Sequence, residues 1–260
     1  MIILIHTSKT MRPPATDAKP LQKPVLLSKT KTLQAHLATL PEKEIARIMH
    51  ISPKLAHTTH ELIAGWNDTP KNQRVAIDSF IGDIYSGLQV QEWTDKDRTY
   101  ANKTLRILSG LYGILKPLDG IYPYRFEMGY KLPDKDIGNP YTFWDRDIAK
   151  TLPEDSTIIN LAAIEYSKVI TPFVDPDKVI APAFLTVNPK TKEPTFVVVH
   201  TKIARGAFAS WMIKNRIEDA AHLKDFNGLG YKYNEKLSTP SEPAFICQSF
   251  GGLGLSVRLS

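Results

Sequence analysis

Ser109-Gly-Leu-Tyr-Gly-Ile-Leu-Lys-Pro-Leu-Asp-Gly-Ile-Tyr-Pro-Tyr-Arg-Phe-Glu-Met-Gly129 places Gly110, Gly113, Gly120 and Gly129 and the prolines Pro117 and Pro123 among Tyr112, Tyr122 and Tyr124. Glycine costs backbone entropy in a regular element and proline removes a donor, so this is poor material for a helix or a central strand. Glycine also lets one backbone approach another closely. With Lys116, Arg125 and Glu127 supplying charge, the stretch reads as a shaped, rigid surface between two halves of different character.

Before it, helices dominate. Met1-Ile-Ile-Leu-Ile5 reads as a buried first strand, followed at 11–28 by a proline-rich excursion with Pro13, Pro14, Pro20 and Pro24. Apolar spacing at Leu33, Leu37 and Leu40 predicts a helix over 30–40, and Pro41 opens the next. Ser52-Pro53 caps a helix running to about Trp66, another is expected from Asn72 to Tyr85, and Thr94 caps one through Ile107. After the segment, 157–162, 179–185 and 195–200 are apolar, partly β-branched strand candidates, the second demoted to an edge or bulge by Pro182. A strong helix is expected from Ala204 to about His222, and 251–260 reads as a flexible tail. Without a regular βαβ repeat, the expectation is one mixed α/β (α+β) domain over 1–260.

The composition is that of a soluble protein: 260 residues, 42% hydrophobic and 23% charged. No apolar run approaches the roughly 20 residues that span a bilayer. The first strand has neither the length nor the basic preface of a signal peptide. Cys247 stands alone, which excludes an intramolecular disulfide and suits a reducing cytoplasm. The formal charge is +6, concentrated near the start, and 98–118 and 202–217 contain no acid. Converging, these windows would form a basic cleft for polyanions; dispersed, they are solvated faces.

Leu108-Ser-Gly-Leu-Tyr-Gly-Ile-Leu-Lys-Pro-Leu-Asp119 and Pro123-Tyr-Arg-Phe-Glu-Met-Gly129 closely resemble the signature of the peroxide stress protein YaaA family. Further matches follow in order: Leu4–Thr10, Phe80–Leu88, Tyr141–Trp144, Asn160-Leu-Ala, Glu165-Tyr166, Ala204-Arg-Gly206, Asn215-Arg216 and Phe226–Tyr231. The resemblance implies the cantaloupe fold, a central sheet wrapped by helices with a positively charged cleft. It also implies DNA binding, a helix-hairpin-helix motif and a role against hydrogen peroxide with limitation of free iron. Departures are His6-Thr7-Ser8 in place of the usual Ser-Pro-Ala, and Ala163 and Ile164 where polar residues are common.

The candidate residues follow from position and type. Gly82 and Gly87 bracket a segment that can offer backbone N–H groups to a phosphate, or form an ordinary turn. Arg125 and Glu127, two apart, share a face of an extended segment, as a structural pair or as the lining of a pocket. Tyr112 and Tyr124 stack on a base or pack in the core. Asn160 ends an apolar strand where open α/β sheets place ligand groups. Lys202 and Arg205 stand between a strand and a helix start, where charge and dipole would meet one phosphate, and Lys9-Thr10 follows the first strand. Lys116 and Arg216 complete the phosphate-binding set. His57 and His60 lie one helical turn apart, too sparse a set for a metal site, and no cofactor motif is present. Two readings stay open: a cytoplasmic oxidative-stress protein binding DNA, duplex or structured, through phosphates, and an enzyme for a small phosphate-bearing or nucleobase-like substrate. In the second, Lys9, Arg125, Glu127 and Asn160 are the catalytic candidates, and with Lys202 and Arg205 they are expected to converge.

Overall fold

The computed structural model describes residues 1–13, 22–134 and 137–253. Its architecture is mixed α/β. Ile2–His6 is buried on both faces, the signature of a parallel strand covered by helices on either side. It lies at the centre of a five-stranded sheet in the order Gly113–Leu115, Leu105–Ser109, Ile2–His6, Ile158–Asn160, Val179–Ile180. The last four strands are parallel, and Gly113–Leu115 folds back antiparallel on Leu105–Ser109. The chain leaves the first strand toward Leu105–Ser109 and later returns to its other side. The strand order therefore reverses between Ile2–His6 and Ile158–Asn160.

A second sheet of four strands runs Pro194–Thr195, Ala183–Val187, Ala244–Cys247, Tyr231–Tyr233. The run 179–185 is two strands and not one: Pro182 separates Val179–Ile180, at the edge of the first sheet, from Ala183–Val187 inside the second. The helix Val198–Lys214 packs on both this sheet and the first strand and is buried almost all round, from Thr201 and Ile203 to Met212 and Ile213.

Local signals held where they were local. Ser52 Oγ accepts from the Leu55 N–H, and Thr94 and Asp97 close a reciprocal capping box. The strand expected over 195–200 is not one: Thr195 ends a two-residue strand, and Val198-Val-His, with Val198 exposed, forms the first turn of the long helix. That helix ends at Lys214, short of His222. The helix expected from Asn72 to Tyr85 is broken: Arg74–Val75 pairs with Gly120–Ile121, Phe80–Ile81 pairs with Thr10–Met11, and only single turns intervene. The helix from Asp95 stops at Thr104, where Leu105 enters the sheet. Residues 14–21 of the proline-rich excursion and 254–260 of the tail lie outside the described residues.

One contact brings the two sheets' helices together. Gly87, in the helix Asp83–Leu88, faces the Ile203 carbonyl, and Gly206 faces the Ile84 carbonyl, each without room for a Cβ. Gly206→Ala therefore forces two helical backbones apart and should destabilise the protein by about 1–3 kcal/mol. Urea unfolding checks this, with Gly251→Ala, which meets only ordinary contacts, expected within about 0.5 kcal/mol of the parent.

Candidate functional site

Four segments meet at the carboxyl end of the parallel strands, at the crevice where the strand order reverses. Open α/β sheets leave their binding crevice at this place, because the connections on either side diverge from it. His6-Thr-Ser-Lys9 leaves the first strand, and Asn160–Ala163 leaves its neighbour. Arg125-Phe-Glu127 comes from the signature segment, and Lys202 and Arg205 come from the long helix. Gly110 lets the signature segment close over the sheet, since a Cβ there would strike the Phe126 carbonyl at 2.5 Å and Glu127 beyond it.

His6 spans the crevice. Its Nδ1 accepts from the Ala163 N–H at 3.2 Å, its ring stacks on Tyr166 at 4.9 Å, and its carbonyl accepts from the Tyr85 hydroxyl at 3.1 Å. Burial, then the nearby charges of Arg205 and Lys202, lower its pKa to about 3. His6 is therefore neutral, with its proton on Nε2, since Nδ1 is already accepting a hydrogen bond.

Glu127 is 7% exposed, and the Tyr166 hydroxyl donates to its carboxylate. Burial raises its pKa despite Tyr166, Lys9 and Arg125, and Glu165 adds to the rise. Behind it, Thr7 Oγ1 donates to the Tyr166 hydroxyl at 3.2 Å, and the Tyr124 hydroxyl, also bonded to Thr7, meets Ser109 Oγ at 2.6 Å. Arg125 Nη1 donates to the Lys9 carbonyl at 3.1 Å, while its Nε and that of Arg205 are buried without a partner. Among the described residues, no carboxylate forms an ion pair with Lys9, Arg125, Lys202 or Arg205.

Lys9, Arg125 and Glu127 thus interact with one another, and Lys202 and Arg205 act on His6. Asn160 shapes its loop, with Oδ1 accepting from the Ala162 N–H at 3.1 Å. Thr10 is exposed and paired with Ile81 beside the site. Several expectations need correction. Lys202 and Arg205 lie past the first turn of a helix that begins at Val198, so no helix end assists them. Gly82 precedes a single short helix and Gly87 is inside it, facing another helix, so the pair forms no hairpin. Tyr112 and Tyr124 are core residues with no face open to a base; Tyr112 Oη accepts from Trp66 Nε1 and the Tyr122 N–H. Lys116 follows the antiparallel strand back toward the far end of the sheet, beside Asp119. Arg216, two residues past the helix end at Lys214, pairs with Asp97 at 2.7 Å and is a structural partner there.

His57 and His60 are exposed beside Glu42, and among the described residues no group of three His, Cys, Asp or Glu could hold a metal. A cavity of about 360 Å³ lined by Arg146, Phe173 and Lys178 opens at the amino end of Ile158–Asn160, away from the crevice. His6, Thr7 and Tyr166 had no signal as site residues beyond their place at the end of an apolar run and in a matched motif.

A His held neutral gives stability at neutral pH that is lost as pH falls through the unfolded value near 6.5, because only the unfolded chain then takes the proton. Between pH 6.5 and 5 the loss is on the order of 2 kcal/mol at the limiting slope of about 1.4 per unit. Urea unfolding of wild type and His6→Asn across this range should show a steeper fall in wild type, and equal slopes would remove His6 as its cause.

A family model described as peroxide stress protein YaaA matches residues 1–237. A UPF0246 protein of Salinispora tropica is 54% identical over 258 residues, covering 99% of this chain and 98% of the relative. UPF0246 proteins of Clostridium beijerinckii and Acaryochloris marina are 34% and 36% identical, with 94% of this chain covered in each and 97% and 99% of the relatives. With a crevice built from the very segments that carry the signature, and relatives aligned over nearly their whole length, this chain belongs to the peroxide stress protein YaaA family.

Proposed function

We propose that this chain serves the peroxide-stress role its family membership supports by binding a small phosphate-bearing ligand at the switch-point crevice. The observation that carries the reading is the convergence there of Lys9 and Arg125 beside Glu127 and of Lys202 and Arg205 beside a neutral His6, none of the four cations in an ion pair among the described residues. Several cations of the basic windows elsewhere find acids in space: Arg98 pairs with Asp78, Lys214 with Glu92, Arg216 with Asp97, Lys29 with Asp147 and Lys31 with Asp68. Four cations without an ion pair drawn to one strand end, two of them with a buried Nε left without a partner, suit one or two phosphates better than a long polyanion. Glu127 and Tyr166 beside those cations fit an enzyme site. The lone, buried Cys247 fits a reducing cytoplasm.

A second reading, DNA bound through its phosphates in a basic cleft, is favoured by the net charge of +6 and by Lys9, which is exposed at the rim. Salt dependence separates the two. Titration calorimetry with ribose 5-phosphate and pyrophosphate should show one site per chain, weakened at least tenfold by Lys202→Ala with Arg205→Gln, and the same variant should fail to restore peroxide resistance to a deletion strain. Duplex binding should have a shallow slope of log affinity against log salt, about 2 or less. A wild-type slope of about 5 or more, falling by about 2 in the double variant at roughly 0.9 per phosphate contact, would transfer the function to DNA.

A further inference from the structure

We propose that Glu127 is the acid–base group of the crevice and takes up a proton when an anion binds, so that the substrate is a small phosphate- or carboxylate-bearing molecule whose reaction uses a proton delivered beside its anionic group. The inference rests on the anion-binding reading above. Glu127 faces Lys9 from the first strand's exit, Arg125 on its own segment, Glu165 and Tyr166 from the helix Ile164–Ser167, and the phenols of Tyr124 and Tyr130. Its ionised form depends on the two cations and on Tyr166, against burial and Glu165.

An anion drawn to Lys9 and Arg125 offsets the charges that keep Glu127 ionised. The carboxyl then binds a solvent proton, which it can pass to the substrate. The carboxylate left behind regains the Tyr166 hydroxyl, itself oriented by the hydrogen bond from Thr7. The Tyr124 to Ser109 contact fixes that chain from below, so the hydroxyl is held toward Glu127. The unpartnered Nε atoms of Arg125 and Arg205 give the anion's arrival its electrostatic counterpart.

The test uses the full chain and sulfate, which does not titrate near neutrality. Calorimetry between pH 6 and 8, in two buffers of different ionisation enthalpy, should show proton uptake of up to one per sulfate and affinity weakening by up to tenfold per pH unit. Glu127→Gln should bind sulfate with no uptake and a flat profile. Tyr166→Phe, which removes the donor to the carboxylate, should move the profile to higher pH, and this keeps the proposal testable should the Gln variant not fold. Wild-type binding without uptake, uptake that survives in Glu127→Gln, or uptake lost only in His6→Asn overturns the assignment while leaving the anion site standing. Absence of binding by sulfate, pyrophosphate and ribose 5-phosphate alike overturns the anion site as well.

Discussion

The backbone contact between the helices Asp83–Leu88 and Val198–Lys214 sets where everything at the crevice can be. Gly87 and Gly206 each face a carbonyl of the other helix, so the two axes come closer than any pair of side chains would allow. Arg205 immediately precedes Gly206, and its position relative to the first strand is fixed by that contact. The short helix is tied in turn: its Tyr85 hydroxyl bonds the His6 carbonyl at the end of the strand. A constraint with no chemistry of its own thus delivers two cations to a histidine about two hundred residues away in sequence.

Electrostatics at the crevice follows from what the fold leaves unpaired. A buried donor without a partner costs about 1–3 kcal/mol, and both Arg125 and Arg205 carry one. The same chain satisfies comparable groups elsewhere. Arg106, buried in a central strand, donates to the carbonyls of Asn102, Lys103 and Leu105 at the end of the preceding helix. Among the described residues His36 Nε2 is likewise buried without a partner, away from the crevice, but only at this strand end do two guanidinium Nε atoms left without a partner gather beside Lys9 and Lys202, a physical mark of a site.

Much of this was legible in sequence where the cause was local. Ser52 and Thr94 announce helix starts because a cap needs only a side chain and the next turn. The signature segment was readable as a rigid surface because Gly110 and its prolines state their backbone needs. Val198-Val-His was misread because β-branched residues disfavour a helix only slightly, and here they form the first turn of one whose burial begins at Thr201. Lys116 was misplaced because the antiparallel return of Gly113–Leu115 reverses its direction, which no composition reveals. Arg98, Lys214 and Arg216 seemed free because their acids lie on other elements. His6 had no sequence signal of its own; its neighbours Ala163 and Tyr166 come from the far side of the sheet.

Burial acts in opposite directions on the pKa values of the two titratable groups nearest the crevice, and in both it disfavours the charged form. It pulls His6 down, removing a cation, and pushes Glu127 up, weakening an anion. The remaining fixed charge comes from Lys9, Arg125, Lys202 and Arg205, while Glu165 is exposed to solvent and its carboxylate accepts from the Gly129 N–H. A neutral imidazole at the floor spares the site a further repulsion among cations, and a carboxylate whose charge burial already disfavours gives that charge up more readily when an anion arrives. The low-dielectric floor that disfavours both ionised groups also strengthens the attraction between the remaining cations and a ligand of opposite sign. The burial that makes the empty crevice costly is therefore the same property that makes it selective for an anion.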